Sequence, residues 1–341
     1  MRYSLLFCFM ALAAVSFNAC TNSDKQAKIK AHIDSLSRLN PDLGRYSVEI
    51  EKSPNNADLY LSRGTIFYQM DLLDDAAKDL YKAIQLDSTN ISYYLTFADI
   101  NVKARYLKVA VTYLKKAEKM DPQNKEIAIK LAKVNLYLKE YTAVMEETNR
   151  VIGLDKTDER SYLLQGIVYK EKGDTTQAIR TFQIAVDNNP ESYDAYMQLG
   201  LLCAAKHDAK AEKYLINAIR IDSLRYEGVY ALAMYYQEHK QIRKAIDVYR
   251  NLIVRNPQEP QPIYNLGYIY YQLDSIKMAY NHFTLVIQTS PLNADAYYMR
   301  GLCNVKRKIR NEAISDFTQA LRIREDFPEA RKELDQLQGN K

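Results

Sequence analysis

Tryptophan is absent from this chain of 341 residues, and cysteine, histidine, glycine and proline are all scarce. The four cysteines stand at positions 8, 20, 203 and 303, in no CxxC or other metal spacing, and they suggest no disulfide framework. Histidines 32, 207, 239 and 282 show no ligand spacing among themselves, so no metal site is expected. GxSxG, HExxH, the P-loop and GxGxxG are missing as well, and with them the catalytic chemistries those motifs support. No catalytic residue, no cofactor and no enzyme activity is expected. Neither sign of charge dominates. The 47 basic and 42 acidic residues leave a net +5, which is small and well mixed and so does not imply a nucleic-acid partner.

What is present is ordinary soluble composition, 47% hydrophobic and 26% charged, with tyrosine unusually frequent at 28. The large and small residues recur at fixed places. In Glu159–Ser192, Tyr162, Gly166 and Tyr169 lie four and three apart and share one helix face. Ala178, Phe182 and Ala185 do the same on a second helix. Gly173-Asp174 supplies a turn between the two, and Pro190 ends the second because it cannot donate to the helical ladder.

That helix–turn–helix unit has neighbours on both sides. Eight units begin at Ala57, Ile91, Lys125, Glu159, Tyr193, Tyr226, Pro260 and Ala294. The fifth is one residue short, and the gap falls in the turn around His207-Asp208. The eighth place is always small: Gly64, Ala98, Ala132, Gly166, Gly200, Ala233, Gly267 and Gly301. Glycine inside a helix costs about 0.5–1 kcal/mol relative to alanine, so its return there implies that two helix backbones approach closely. The twentieth place confirms the register with Ala76, Ala110, Val144, Ala178, Ala211, Ala245, Ala279 and Ala313, and Pro122, Pro190, Pro257 and Pro291 end second helices. The third unit is the weakest, with Ala128, Val144, Thr148 and Lys156 off the pattern. No stretch between units is Gly/Ser-rich enough to be a linker.

This pattern strongly resembles the tetratricopeptide repeat family. The resemblance covers residues 57–327 and implies an all-α fold, a right-handed α-solenoid of about eight helix–turn–helix repeats. Residues 29–56 read as N-terminal capping helices and residues 328–341 as a C-terminal one, since repeat arrays need polar-backed ends. Cys203 and Cys303 read as small buried hydrophobes. Asp74, Asp75, Glu146 and Glu147 on second helices read as solvated charges. The basic run Lys306–Arg310 reads as a solvated turn, against an anion or headgroup contact.

Residues 1–20 carry Arg2 and an apolar run, Leu5–Val15, too short to span a bilayer comfortably, and read as a secretory signal. A buried N-terminal helix or a membrane anchor is the competing account. The end, Phe17-Asn18-Ala19-Cys20, resembles a bacterial lipobox, although Phe17 stands where such boxes usually carry Leu. The resemblance implies lipid on Cys20, with plain signal cleavage as the alternative, and Cys8 leaving with the signal. It places an exported protein on the bacterial outer membrane, facing the periplasm or the cell surface, with residues 21–28 as a polar tether.

In tetratricopeptide arrays the first helices line the inner wall. Carried onto this chain, the fifth, ninth and twelfth places make the middle aliphatic and the C-terminal part rich in tyrosine. The candidate partner-binding residues are Tyr230, Met234, Tyr264, Tyr268, Tyr271 and Tyr298, with Met197 and Leu201 beside them. The competing account is that fifth-place side chains only pack against the neighbouring first helix. Some family members clamp carboxy-terminal peptides of chaperones with Lys and Asn; here Leu61, Thr65 and Thr96 occupy such places, which disfavours that role. The expected function is a membrane-tethered scaffold holding a protein or peptide partner. A structural subunit of an outer-membrane assembly or secretion complex is the alternative, and glycan binding on the tyrosine wall a lesser one.

Overall fold

A computed structural model describes residues 26–339. The signal segment, Cys20 and residues 21–25 lie outside the described residues. Residues 26–28, expected in the tether, are already helical. Among the described residues every regular element is an α-helix. None is long and apolar enough to cross a membrane.

Two helices come first, α1 (26–39) and α2 (Pro41–Lys52). Eight hairpins follow: α3 (Ala57–Gln69) with α4 (Leu73–Leu86), α5 (Ile91–Lys103) with α6 (Leu107–Met120), α7 (Lys125–Tyr137) with α8 (Tyr141–Leu154), and α9 (Glu159–Glu171) with α10 (Thr175–Asn188). Then come α11 (Tyr193–Ala205) with α12 (Lys210–Ile221), α13 (Tyr226–Glu238) with α14 (Ile242–Arg255), α15 (Pro260–Gln272) with α16 (Ile276–Thr289), and α17 (Ala294–Lys306) with α18 (Arg310–Ile323). Helix α19 (Pro328–Gln338) closes the series, and Gly339 ends it in the left-handed region at φ 79°.

Short-range chemistry sets these boundaries. The Asn56, Asn90, Asn124 and Asn293 side chains each accept a backbone N–H in the first turn of α3, α5, α7 and α17, filling donors that a helix start leaves open. Each first helix ends in one residue at positive φ, at 71, 105, 139, 173, 207, 240, 274 and 308. The next N–H reaches back to the third-last carbonyl, as Leu72 does to Phe67 O at 2.9 Å, which is a Schellman turn. Only Gly173 of these eight is a glycine. The spacing between them drops by one between His207 and Lys240, and Ala211 caps the difference, so the missing residue lies between His207 and Ala211.

The helices form two compact units, one ending at Val168 and one beginning at Tyr169, with the division inside α9. In the first, Leu43, Leu80, Tyr93, Leu114, Ile127 and Leu131 belong to one buried core. Off-pattern Thr148 is fully buried; its hydroxyl donates to Val144 O at 2.8 Å and accepts from Gln165 Nε2 at 3.1 Å. The weak third repeat is thus patched by a satisfied polar contact. In the second unit, Leu215, Tyr249 and Phe283 share one core, and Phe317 with Leu321, Phe327 and Leu334 form another under α19.

The eighth-place glycines correct one expectation: what presses on them is chiefly side chain. A Cβ on Gly64 would lie 2.3 Å from Leu80 Cδ2, one on Gly200 2.6 Å from Leu215 Cδ2, and one on Gly301 2.6 Å from Phe317 Cε1. In these three hairpins the second helix drives a large knob into the hole that its partner's glycine leaves. The first and eighth hairpins also share a polar lock. Arg63 grips Asp79 through two bonds of 2.7 Å, and Arg300 Nη2 donates to Asp316 at 2.6 Å. Both carboxylates are buried.

Candidate functional site

Side chains left over after packing gather on the first helices of the second unit. Counting from Glu227, the places 231, 234 and 238 fall four, three and four residues on, one stripe along α13. Met197 and Leu201, four apart, face it from α11. Between them lies a cleft of about 480 Å3 whose walls also include Ala204, Tyr226 and Tyr230. Met197 is a buried floor residue at 7% exposure, while Leu201 stands 45% exposed at the rim. No lysine or arginine lines the cleft.

The α13 wall is held from behind. Tyr226 and Tyr230 stack with ring centroids 5.4 Å apart and planes 15° from parallel. Tyr230 meets the buried Tyr249 edge-on at 6.2 Å. Asn265, on α15, donates from Nδ2 toward Tyr230 Oη at 3.1 Å, Tyr249 Oη at 3.0 Å and Met234 Sδ at 3.3 Å. Tyr249 Oη in turn donates to Gln237 at 2.9 Å. Burial raises the Tyr249 phenol above its ordinary value and pushes Tyr226 up to about 12, so both are neutral at physiological pH. The Tyr226 hydroxyl is buried without a hydrogen-bond partner.

Four of the eight sequence candidates therefore converge: Met197, Leu201, Tyr230 and Met234. The others are placed elsewhere. Tyr264 turns its ring edge-to-face against Phe283 at 5.4 Å, and burial pushes its phenol up to about 12. Tyr298 packs on Phe317 and Phe327, at 5.9 and 5.0 Å. Tyr271 carries Lys306 Nζ over its ring at 4.7 Å. Tyr268 is exposed and makes no ring contact among the described residues. Tyr264 and Tyr298 are taken up by packing, but the ring that each meets lies on the second helix of its own hairpin, Phe283 or Phe317, where the neighbouring first helix was the expected neighbour.

Stacking supplies neighbours for other residues too, and for Glu147 they correct the expectation of a solvated charge. Glu147 is half-buried, bound to Arg150, which also holds Glu118. The basic run stays exposed around its turn, and two of its members also have partners: Lys306 pairs with Asp274 at 2.7 Å, and the Arg307 guanidinium lies 4.3 Å from the Tyr280 ring centre. His207 and His239, in neighbouring turns, have ring centroids 5.7 Å apart, although no sequence spacing joins them. Among the described residues no group of three or more His, Cys, Asp or Glu could hold a metal ion. Cys203 and Cys303 are buried free thiols, and burial pushes Cys303 up to about 12. Asn265, Glu227 and Glu238 drew no attention in the sequence, where Asn265 is one more polar place on a first helix.

The corresponding cleft of the first unit, between α5 and α7, measures about 260 Å3 and is charged. There Asp99 binds Lys130 at 2.5 Å and Glu126 binds Arg160, so its carboxylates are neutralised internally.

Comparison with known proteins follows the same repeat. Family models described as tetratricopeptide repeat match residues 163–222, 227–259 and 294–327. The BBSome complex member BBS4 of Bos taurus is 24% identical over 199 residues, 58% of this chain and 38% of that protein. The protein O-mannosyl-transferase TMTC3 of Homo sapiens is 23% identical over 269 residues, 76% of this chain and 29% of that one. The chain thus spans well under half the length of these curated relatives. Among solved structures, the C-terminal part of a TPR repeat-containing protein from Cytophaga hutchinsonii superposes with TM-score 0.59 at 18% identity. It covers 70% of this chain and 99% of its own.

Proposed function

The chain is a tetratricopeptide repeat protein, and from that premise we propose that it is a scaffold holding a segment of a partner protein in the cleft between α11 and α13. The observation that carries this reading is the cleft itself. About 480 Å3 of apolar-walled space stands open on first helices, and its α13 wall is braced by the Asn265 network. An apolar recess with few polar groups favours burial of aliphatic or aromatic partner side chains, worth roughly 1.5–3 kcal/mol each. A preformed wall lowers the ordering cost of binding.

A photo-crosslinking residue at Leu201, on the rim, tests the reading in native cells. Partner capture is expected from Leu201 and not from Val254, which is 82% exposed on a second helix. Equal capture from both places, or capture from Val254 alone, overturns the cleft as the binding site.

The lipobox-like Phe17-Asn18-Ala19-Cys20 supports a second part of the proposal: the scaffold is anchored at an outer membrane through lipid on Cys20. Mass spectrometry of the mature N-terminus should find acyl chains on Cys20. An unmodified N-terminus at another residue overturns the anchor and leaves the cleft reading untouched.

A further inference from the structure

The two clefts share one register and differ in their charges. Glu126 on α7 and Glu227 on α13 occupy the same second place of their repeats. Arg160 binds Glu126 from the next repeat; the place corresponding to Arg160 beside Glu227 holds Gln261, which carries no charge. Glu238, at the other end of the α13 stripe, is likewise left alone. Neither Glu227 nor Glu238 accepts a hydrogen bond or forms an ion pair among the described residues. The nearest cation along the chain, Arg225, is committed to Asp194 at 2.9 Å and lies over the Tyr193 ring at 3.8 Å. Carboxylates on neighbouring elements show the contrast: Glu212 has Lys244 at 3.0 Å and Asp274 has Lys306 at 2.7 Å.

Both free carboxylates line the cleft, one at each end of α13, and they lie on the same face of that helix. At the helical rise, the eleven steps from 227 to 238 separate them by about 16 Å. Between them lie Tyr230, Ala231 and Met234. An apolar floor with an unpaired negative charge at each end is complementary to an apolar segment with a positive charge at each end.

We infer that the cleft takes an extended segment of a partner protein in which two Lys or Arg residues, about four or six apart, flank Leu, Met or Ile side chains; this rests on the cleft being the binding site, as proposed above. The span and the alternation of an extended chain set the spacing together: at about 3.3 Å per residue, four to six residues cover about 13–20 Å, and only even spacings put both cations on one face. In a helical segment the same span would put the two cations about eleven residues apart, so the spacing of the charges reads the conformation. The apolar side chains supply most of the affinity and the two rim pairs select the flanks and the direction of charge.

The test uses the purified chain and fluorescent peptides in which leucine and methionine lie between two lysines about four or six residues apart. Matched peptides carry glutamine or glutamate in place of the lysines, and each is titrated at about 50 and 300 mM salt. Lysine flanks should bind tighter than glutamine flanks by about 2- to 20-fold at low salt, with glutamate weakest, and the contrast should shrink at high salt. In the doubly substituted E227K/E238K chain the order should reverse; both places are exposed, and circular dichroism checks that helicity is kept. Equal binding of lysine and glutamine peptides, or an order unmoved by E227K/E238K, overturns the inference and leaves the cleft reading standing. Crosslinking from Leu201 with no peptide binding does the same. No peptide binding and no crosslink from Leu201 overturns both. Self-association of the chain in sedimentation velocity, abolished by E227K/E238K, assigns the cleft to a second copy and overturns the inference.

Discussion

Replacing Gly200 with alanine tests whether the cleft's α11 wall is seated by close packing. The new Cβ would lie 2.6 Å from Leu215 Cδ2 and 2.7 Å from its Cγ, where carbon atoms sit comfortably at about 3.5–4.0 Å. Leu215 is fully buried and its backbone N is itself only 3.3 Å from the added carbon, so it cannot swing into solvent. Overpacking of this kind costs about 1–3 kcal/mol, and the gain from exchanging glycine for alanine in a helix is about 0.5–1 kcal/mol. Gly200→Ala should therefore be neutral to destabilising, by about 0–2.5 kcal/mol. Gly153, in α8, is the control. Nothing lies within 4 Å of its added Cβ, so Gly153→Ala should be stabilising by about 0.5–1 kcal/mol. Repeat proteins unfold piecewise, so urea unfolding should be paired with peptide-resolved hydrogen exchange that reads α8 and α11–α12 separately. Gly200 also precedes Leu201 and follows Met197 by three, so the first variant should lose cleft affinity and the second should not. If Gly200→Ala is as stabilising as Gly153→Ala, the knob-in-hole account of the eighth place is wrong.

Further outcomes follow from the same coordinates. Asp316→Ala leaves Arg300, partly buried at 20% side-chain exposure, without its partner and should cost about 3–5 kcal/mol in chemical unfolding. Arg220→Ala, which breaks the exposed pair with Glu191, should cost under about 1 kcal/mol. Asn265→Leu removes the N–H donors shared by Tyr230 and Tyr249 and should cost about 1–3 kcal/mol, with a loss of peptide affinity at the α13 wall. Its failure to change affinity would detach that network from the site. With its thiol pushed up to about 12 by burial, Cys303 is almost wholly protonated at pH 8. Raising pH toward 12 increases thiolate, so alkylation resolved by peptide mapping should be negligible at pH 8 in the folded chain and rapid once urea unfolds it. Fast labelling of the folded protein would contradict the burial.

Much of the architecture was legible because it rests on local rules. A repeated small residue at the eighth place, alanine at the twentieth and proline after second helices locate the hairpins without any tertiary knowledge, and the first helices start at the eight residues from which the repeat was counted. The turns were less legible. Gly173 advertises a left-handed turn, but Asp71, Arg105, Lys139 and their counterparts adopt the same positive φ without a glycine to announce it. There the Schellman bonds and the helices on either side impose a conformation that the residue itself resists, at a cost of about 1–2 kcal/mol.

The sequence alone settled which side chains belong to first helices and in what register, since that depends only on the helical period and on neighbours a few residues away. Which of those side chains stay available was decided only by the fold. Tyr264 and Tyr298 are absorbed by Phe283, Phe317 and Phe327, and Tyr230 is held beside the cleft by an asparagine thirty-five residues further on. Glu227 stays unpaired because the cation that answers its counterpart three repeats earlier is a glutamine here. The physical reason is the same in each case: burial and ion pairing are properties of two surfaces in contact, and packing brings together residues about half a repeat to one repeat apart that no local pattern relates.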